Sequence, residues 1–300
     1  MSAIQKINPE NRLVVAKMLP DGRIDHSSVQ ALQQWQRGPR NLELVRHGYG
    51  SDMLDILTHE LGLVSVDEEG LLRSKIIVVR SEEDAKGAVM RLLGKIAEAL
   101  VVRACNADLW ANRRWGQVGR RGRYVHQTLD DYIAVGTGLE TTRHRYAQKY
   151  RPNDPHRDVI WINKSNTVSE LQMLDQGRPA GISAGLQLKV SMDGFSYIYK
   201  TDIARAKYEV PLVYFDLCND YYRLTDAIYA EERDVAIGVD IVRGMDVDPA
   251  LHDELCSHWW LADNLIRGRM ALDDLVKNDL LFDAFKKDLL EHDSATVITI

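Results

Sequence analysis

Gly185-Leu186-Gln187-Leu188-Lys189-Val190-Ser191 is an apolar, alternating run that carries a glutamine and a lysine two residues apart. Alternation with a period of two predicts a β-strand, and on a strand positions 187 and 189 project to the same side. Two polar side chains on one face of an apolar strand mark either a solvated edge, where a lysine also discourages edge-to-edge pairing, or a site. The neighbours weaken the first alternative. Val210-Pro211-Leu212-Val213-Tyr214-Phe215 is a continuous apolar run of the kind found in strands buried on both faces, so the 185–191 strand is expected inside a sheet. Asp216 ends that second strand, at the edge where α/β sheets keep their sites.

Upstream, Asp158-Val159-Ile160-Trp161-Ile162 predicts another strand, and Ser169 to Gln176 a short helix stopped by Gly177. Ser81-Glu82-Glu83-Asp84 predicts a helix start. Behind it Val89, Leu92, Leu93, Ile96, Leu100, Val101 and Ala104 recur at helical spacing, giving a helix over about 84–105. Lys75 to Val79 reads as a short buried strand, Ile203 to Tyr208 as helical, and Arg151-Pro152-Asn153-Asp154-Pro155 as a breaker opening a new unit. Helical patterns return at Leu251–Ile266, with Trp259 and Trp260 as core or contact surface, and at Leu272–Leu290. The tail Ala295–Ile300 is β-prone. Strands alternating with helices predict an α/β fold, a central mixed sheet flanked by helices. The expected organisation is an N-terminal accessory region at 1–80, an α/β core at 81–220 and a mainly helical region at 221–300.

Three hundred residues, 45% hydrophobic, suffice for one large domain or two smaller ones. Cys105, Cys218 and Cys256 are odd in number and lack zinc spacing, which suits reduced thiols. The start Met-Ser-Ala-Ile-Gln-Lys-Ile-Asn-Pro has no signal-peptide core and no long apolar window follows. The expectation is a cytoplasmic protein, or one delivered into another cell's cytoplasm, without a membrane partner. His126, His144 and His156 form no recognisable metal-binding spacing. A net charge of −6 argues against a surface that coats nucleic acid throughout. Locally the balance reverses: Trp110 to Val125 holds Arg113, Arg114, Arg120, Arg121 and Arg123 without one acid, interleaved with Trp110, Trp115 and Tyr124. Guanidinium forks match phosphate oxygens and aromatic rings stack on bases, so the segment suits nucleic acid. The alternative is a loop whose arginines pair with the surplus carboxylates.

Gln187-Leu188-Lys189, with acids upstream at Asp158, Glu170 and Asp175 and an apolar strand downstream, resembles the PD-(D/E)xK nuclease superfamily in a variant where glutamine replaces the acid. The resemblance spans about a third of the chain. It implies a restriction-endonuclease-like core and Mg²⁺- or Mn²⁺-dependent phosphodiester hydrolysis, with DNA favoured, in defence against foreign DNA or as a toxin. It further implies Lys189 as the catalytic lysine, Gln187 in the metal shell, Leu188 lending its carbonyl, and an upstream acid on the metal. Asp175, twelve residues before Gln187, and Glu170 rank ahead of Asp158, from which an inserted loop and helix would separate Gln187. Glu98, in Gly94-Lys95-Ile96-Ala97-Glu98, resembles the superfamily's helix glutamate, although on a helical wheel it falls away from the apolar stripe, where a surface residue would sit. Two rivals stand beside this: an inactive nucleic-acid-binding module on the same fold, and a protein-interaction module or homo-oligomer joined through the C-terminal helices.

Overall fold

The computed structural model describes residues 13–17, 30–31, 42–68, 72–203, 208–275 and 295–299, and is a mixed α/β structure of helices and small sheets. The strands are β1 (Leu13–Lys17), β2 (Gln30–Ala31), β3 (Val64–Val66), β4 (Leu72–Ser74), β5 (Tyr132–Gly136), β6 (Val159–Asn163), β7 (Gln172–Asp175), β8 (Arg178–Ser183), β9 (Gln187–Ser191), β10 (Leu212–Asp216), β11 (Ile241–Arg243) and β12 (Ala295–Thr299). The helices are α1 (Leu42–Asp55), α2 (Glu82–Ala107), α3 (Leu109–Gly119), α4 (Glu140–Arg145), α5 (Tyr221–Ala230), α6 (Gly244–Val247) and α7 (Pro249–Ile266). The chain divides into two compact units, one within 1–58, 63–85 and 257–300, the other within 59–62 and 86–256.

In the first unit β1 lies antiparallel between β2 and β12, so the β-prone tail does form a strand. The antiparallel pair β3–β4 belongs here too. Lys75 to Val79 belongs to no helix or strand, and Ile77 is 77% exposed. Among the described residues it is tied backbone to backbone only at its two ends, Lys75 N–H to Leu63 O and Val79 N–H to Ile266 O, each 2.8 Å, so the buried strand expected there is not formed. Trp259 and Trp260 are half-buried with ring centroids 4.9 Å apart. Of the helix expected over 272–290, residues 272–275 form a single 3₁₀ turn and the rest lie outside the described residues, as do 204–207 of the expected 203–208 helix.

The second unit carries the strands of interest. Helix α2 starts where expected: Ser81 Oγ accepts from the Asp84 N–H at 3.5 Å, and Glu82, Glu83 and Asp84 place negative charge at the positive end of the helix dipole. Val89, Leu93, Ile96, Ala97 and Leu100 bury its apolar stripe. Asp108 caps the next helix by accepting from Trp110 N–H at 2.8 Å, so the first half of the arginine-rich segment is helix α3. Gly119 lets α3 meet Trp161 of β6: a Cβ there would stand 2.7 Å from Trp161 Cζ3. The Trp161 indole N–H donates to Asn112 Oδ1 at 2.8 Å, and Asn112 Nδ2 donates to the carbonyls of Leu129 and Tyr132, leaving this buried amide satisfied.

Strands β5 and β6 pair antiparallel, Tyr132 opposite Asn163 through Gly136 opposite Val159. Strands β9, β10 and β11 form a parallel sheet with β10 in the middle, and Gln187 and Lys189 face Leu212 and Tyr214 in register. All five residues of β10 are buried, as its continuous apolar run predicts. A single antiparallel bridge between Val159 and Leu186 joins the two sets; Leu186 N–H donates to Val159 O at 2.8 Å. The crossover from β9 to β10 is a wide π-helical segment, Phe195–Ile203. Its Ile198 and Tyr199 pack with Leu212 and Tyr214 of β10, Leu224 and Ile228 of α5, and Ile241 of β11.

The helix expected over 169–176 is instead strand β7, hairpinned to β8 through Gln176 (φ 48°) and Gly177 (φ 80°). Two central residues with positive φ are what a tight two-residue hairpin turn requires. The inserted hairpin does not separate Asp158 from Gln187, because the Val159–Leu186 bridge closes across its base.

Candidate functional site

Three oxygen-bearing side chains gather where β6 and β9 begin. Asp158 precedes β6, and its Oδ2 accepts two hydrogen bonds from β9: from Gln187 Nε2 at 2.5 Å and from the backbone N–H of Leu188 at 2.7 Å. Gln187 is 6% exposed, and its Oε1 has no hydrogen-bond partner among the described residues. The amide orientation follows from the chemistry, because the group that faces a carboxylate oxygen must be the donor. The Asp158 carboxyl is held above its ordinary range, chiefly by burial, against the Leu188 N–H and the charges of Lys95 and Lys189.

Glu98 comes from α2 and is 1% exposed, not on the surface where its place on the helical wheel put it. Room for it is made forty residues away by two glycines: a Cβ at Gly136 would stand 2.8 Å from Glu98 Oε1, and one at Gly138 3.2 Å from Oε2. Oε1 accepts from Gly138 N–H at 2.7 Å and Oε2 from Lys95 Nζ at 3.1 Å. Burial pushes this carboxyl from 4.5 up to about 7, with Lys95 opposing and the negative field of Asp158 adding to the rise. The ionised Asp158 thus makes Glu98 harder to ionise.

Lys189 stands beside Asp202, Nζ to Oδ2 3.7 Å, and its ammonium lies 5.4 and 5.3 Å from the ring centroids of Tyr197 and Tyr208. Burial opposes its charge, but the Tyr208 hydroxyl, the Tyr197 ring and Asp202 outweigh that, and its pKa is raised. Lys189 is therefore a fixed cation at neutral pH. It can neutralise developing negative charge, and it is a poor base.

The other two upstream acids lie elsewhere, against the order expected for them. Glu170 is the centre of an ion triad, receiving Lys149 Nζ at 2.7 Å and Arg157 Nη1 at 2.8 Å. Burial would raise its pKa, but these two donors outweigh it and bring the carboxyl to about 2. Asp175 is exposed on the β7–β8 hairpin. The histidines take separate partners: His126 caps a 3₁₀ turn, His144 meets Glu140 at 3.3 Å, and the His156 backbone N–H bonds Asp154. All three cysteines are free.

The arginines divide. Arg113 grips Asp130 through two nitrogens, at 2.7 and 2.5 Å, with its guanidinium 4.9 Å from the Trp110 ring. Arg114 meets Asp248 at 3.1 Å, and Arg121 meets Asp240 at 2.9 Å and the Glu209 carbonyl at 3.0 Å. Arg120 and Arg123 have no carboxylate partner among the described residues. These two line a groove of about 1660 Å³ together with Arg121, Tyr124, His126 and Asp175.

No helix among the described residues is long and apolar enough to cross a membrane. Compared with known proteins, the chain matches no family model, no curated protein and no solved structure.

Proposed function

We propose that the chain is a metal-dependent nuclease with a restriction-endonuclease-like core, its centre built from Glu98, Asp158, Gln187 and Lys189. The observation that carries this reading is the grip of Gln187 Nε2 and Leu188 N–H on Asp158, which leaves Gln187 Oε1 buried beside a carboxylate and without a donor among the described residues. Two carboxylates and a neutral amide oxygen are hard oxygen donors, a set that fits Mg²⁺ or Mn²⁺ and not a thiophilic ion. The chain order also agrees with the resemblance: a helix glutamate, a strand acid, then the Gln-x-Lys strand. Bound there, a divalent cation would polarise the phosphodiester and supply an activated water.

The chain's own groups have separable roles. Asp158, Glu98 and Gln187 Oε1 would hold the ion, and the Leu188 carbonyl is the further donor that the resemblance implies. Lys189, held charged by Asp202 and the two tyrosines, would balance charge building on the phosphoryl oxygens and on the leaving group. Asp202 touches no reacting atom and is a positioning residue. DNA is the proposed polymer, and defence or a toxin's attack on a genome the proposed setting.

The test is plasmid cleavage with Mg²⁺ or Mn²⁺, beside EDTA and the Lys189→Ala variant. Metal-dependent cutting that Lys189→Ala abolishes is the expected result. A folded wild type that cuts neither DNA nor RNA would transfer the assignment to an inactive binding module.

A further inference from the structure

The arginine-lined groove lies apart from the cluster of Glu98, Asp158 and Gln187, and its construction selects an occupant. One wall is the chain leaving α3: Arg120, Arg121 in the left-handed region (φ 55°), Arg123 and Tyr124. That turn is fixed by Arg121 N–H to Val118 O at 3.0 Å and Gly122 N–H to Gln117 O at 2.9 Å, a helix ending that needs a left-handed residue. The opposite wall is the β7–β8 hairpin. Its Leu174 N–H donates to the Arg120 carbonyl at 2.8 Å, so the two walls are bonded to one another.

The charge within is unbalanced. Arg121 is matched by Asp240, and Asp175 stands across the hairpin turn from Arg178. Among the described residues Arg120 and Arg123 remain without a carboxylate partner. Part of Arg120 is buried enough that desolvation lowers its pKa, with Tyr132 opposing only in part. Tyr124 is 83% exposed beside them, and its ring has no aromatic partner among the described residues. At about 1660 Å³ the groove exceeds the ~300–1,000 Å³ usual for small-molecule sites. Ile182 lines both this groove and a second cavity of about 640 Å³, walled by residues 151–157, which end one residue before Asp158.

We infer that this groove binds a single strand of nucleic acid, its phosphates on Arg120 and Arg123 and an unpaired base stacked on Tyr124. The choice of polymer rests on the nuclease reading. The choice of a single strand rests on Tyr124, since a base offers its face to an exposed ring only outside the duplex stack. The three remaining arginines, already matched to Asp130, Asp248 and Asp240, contribute little.

The experiment is fluorescence anisotropy of labelled oligo(dT) with the full chain in EDTA, where no cutting occurs, against a duplex of equal length. Arg123 and Tyr124 are exposed, so Arg123→Ala and Tyr124→Ala should fold, which circular dichroism checks. The expected result is tighter binding of oligo(dT) than of duplex, weakened about tenfold by Tyr124→Ala, with the slope of log affinity against log salt reduced by about 0.7 in Arg123→Ala. Unchanged affinity in both variants, or tighter binding of the duplex, would overturn the inference. Neither outcome touches metal-dependent cleavage or its loss in Lys189→Ala, so the groove and the nuclease centre can fail separately.

Discussion

Replacing Glu98 with glutamine should stabilise the protein at neutral pH and remove a pH dependence that the wild type carries. The folded-state carboxyl is raised from 4.5 to about 7. Between those values the native state holds a proton that the unfolded chain has released, so stability falls as pH rises through this window and is flat above it. The interval corresponds to about 3 kcal/mol, at roughly 1.4 kcal/mol for each pH unit. Glutamine keeps the shape and can still accept from Gly138 N–H, but its amide must turn a donor toward Lys95 Nζ. Losing that hydrogen bond costs about 1 kcal/mol at every pH, which leaves a net gain of about 2 kcal/mol above pH 7 and a net loss of up to about 1 kcal/mol near pH 4.5. The assay is urea unfolding followed by tryptophan fluorescence in EDTA at both pH values. If the difference between Glu98→Gln and wild type is the same in acid as at neutral pH, the carboxyl is not a buried, proton-holding group and the reasoning is wrong.

Gln187→Glu sets a third carboxylate against Asp158 where an amide now donates at 2.5 Å; in EDTA at pH 8 it should cost about 2–3 kcal/mol, largely recovered by excess Mg²⁺. Equal Mg²⁺ shifts in the melting temperatures of variant and wild type would exclude an ion between these two residues. Glu170→Gln removes the acid that joins Lys149 and Arg157 and should cost about 2–3 kcal/mol at neutral pH. Because the Glu170 pKa is lowered to about 2, its contribution is complete above about pH 4.5 and lost toward pH 2. Urea midpoints that stay equal to wild type at pH 7 would show the triad to be inert.

The features legible in the sequence are those that short-range pattern controls. Helix α2 follows from its periodicity, β10 from an unbroken apolar run, and β9 from alternation with two polar exceptions. The hairpin at 172–183 was not legible, because Gly177 serves equally as a helix stop and as the second residue of a tight turn. Both need a residue in the left-handed region, and local chemistry does not choose between them. The 75–79 run is apolar enough for a strand but finds no ladder partner among the described residues. Burial of Glu98 depends on Gly136 and Gly138, and the nearness of Asp158 to Gln187 depends on the Val159–Leu186 bridge. Neither relation is encoded within a window. The five arginines look alike in sequence and are divided by distant carboxylates at 130, 240 and 248.

The same geometry gives a physical reason for glutamine at position 187. Glu98 and Asp158 are both buried and both resist ionisation, chiefly through burial, and the field of Asp158 adds to the rise at Glu98. A third acid beside them would add like charge at hydrogen-bond distance while deleting the donor that now steadies Asp158. Glutamine supplies that donor through Nε2 and still offers one oxygen, Oε1, inward. On the proposed nuclease reading the cost would fall on cation affinity, since a neutral oxygen attracts less than a carboxylate, and the two acids would have to carry the charge. A cation drawn to the cluster would then have to displace the proton that burial holds on Glu98, so its binding would release that proton and strengthen as pH rises.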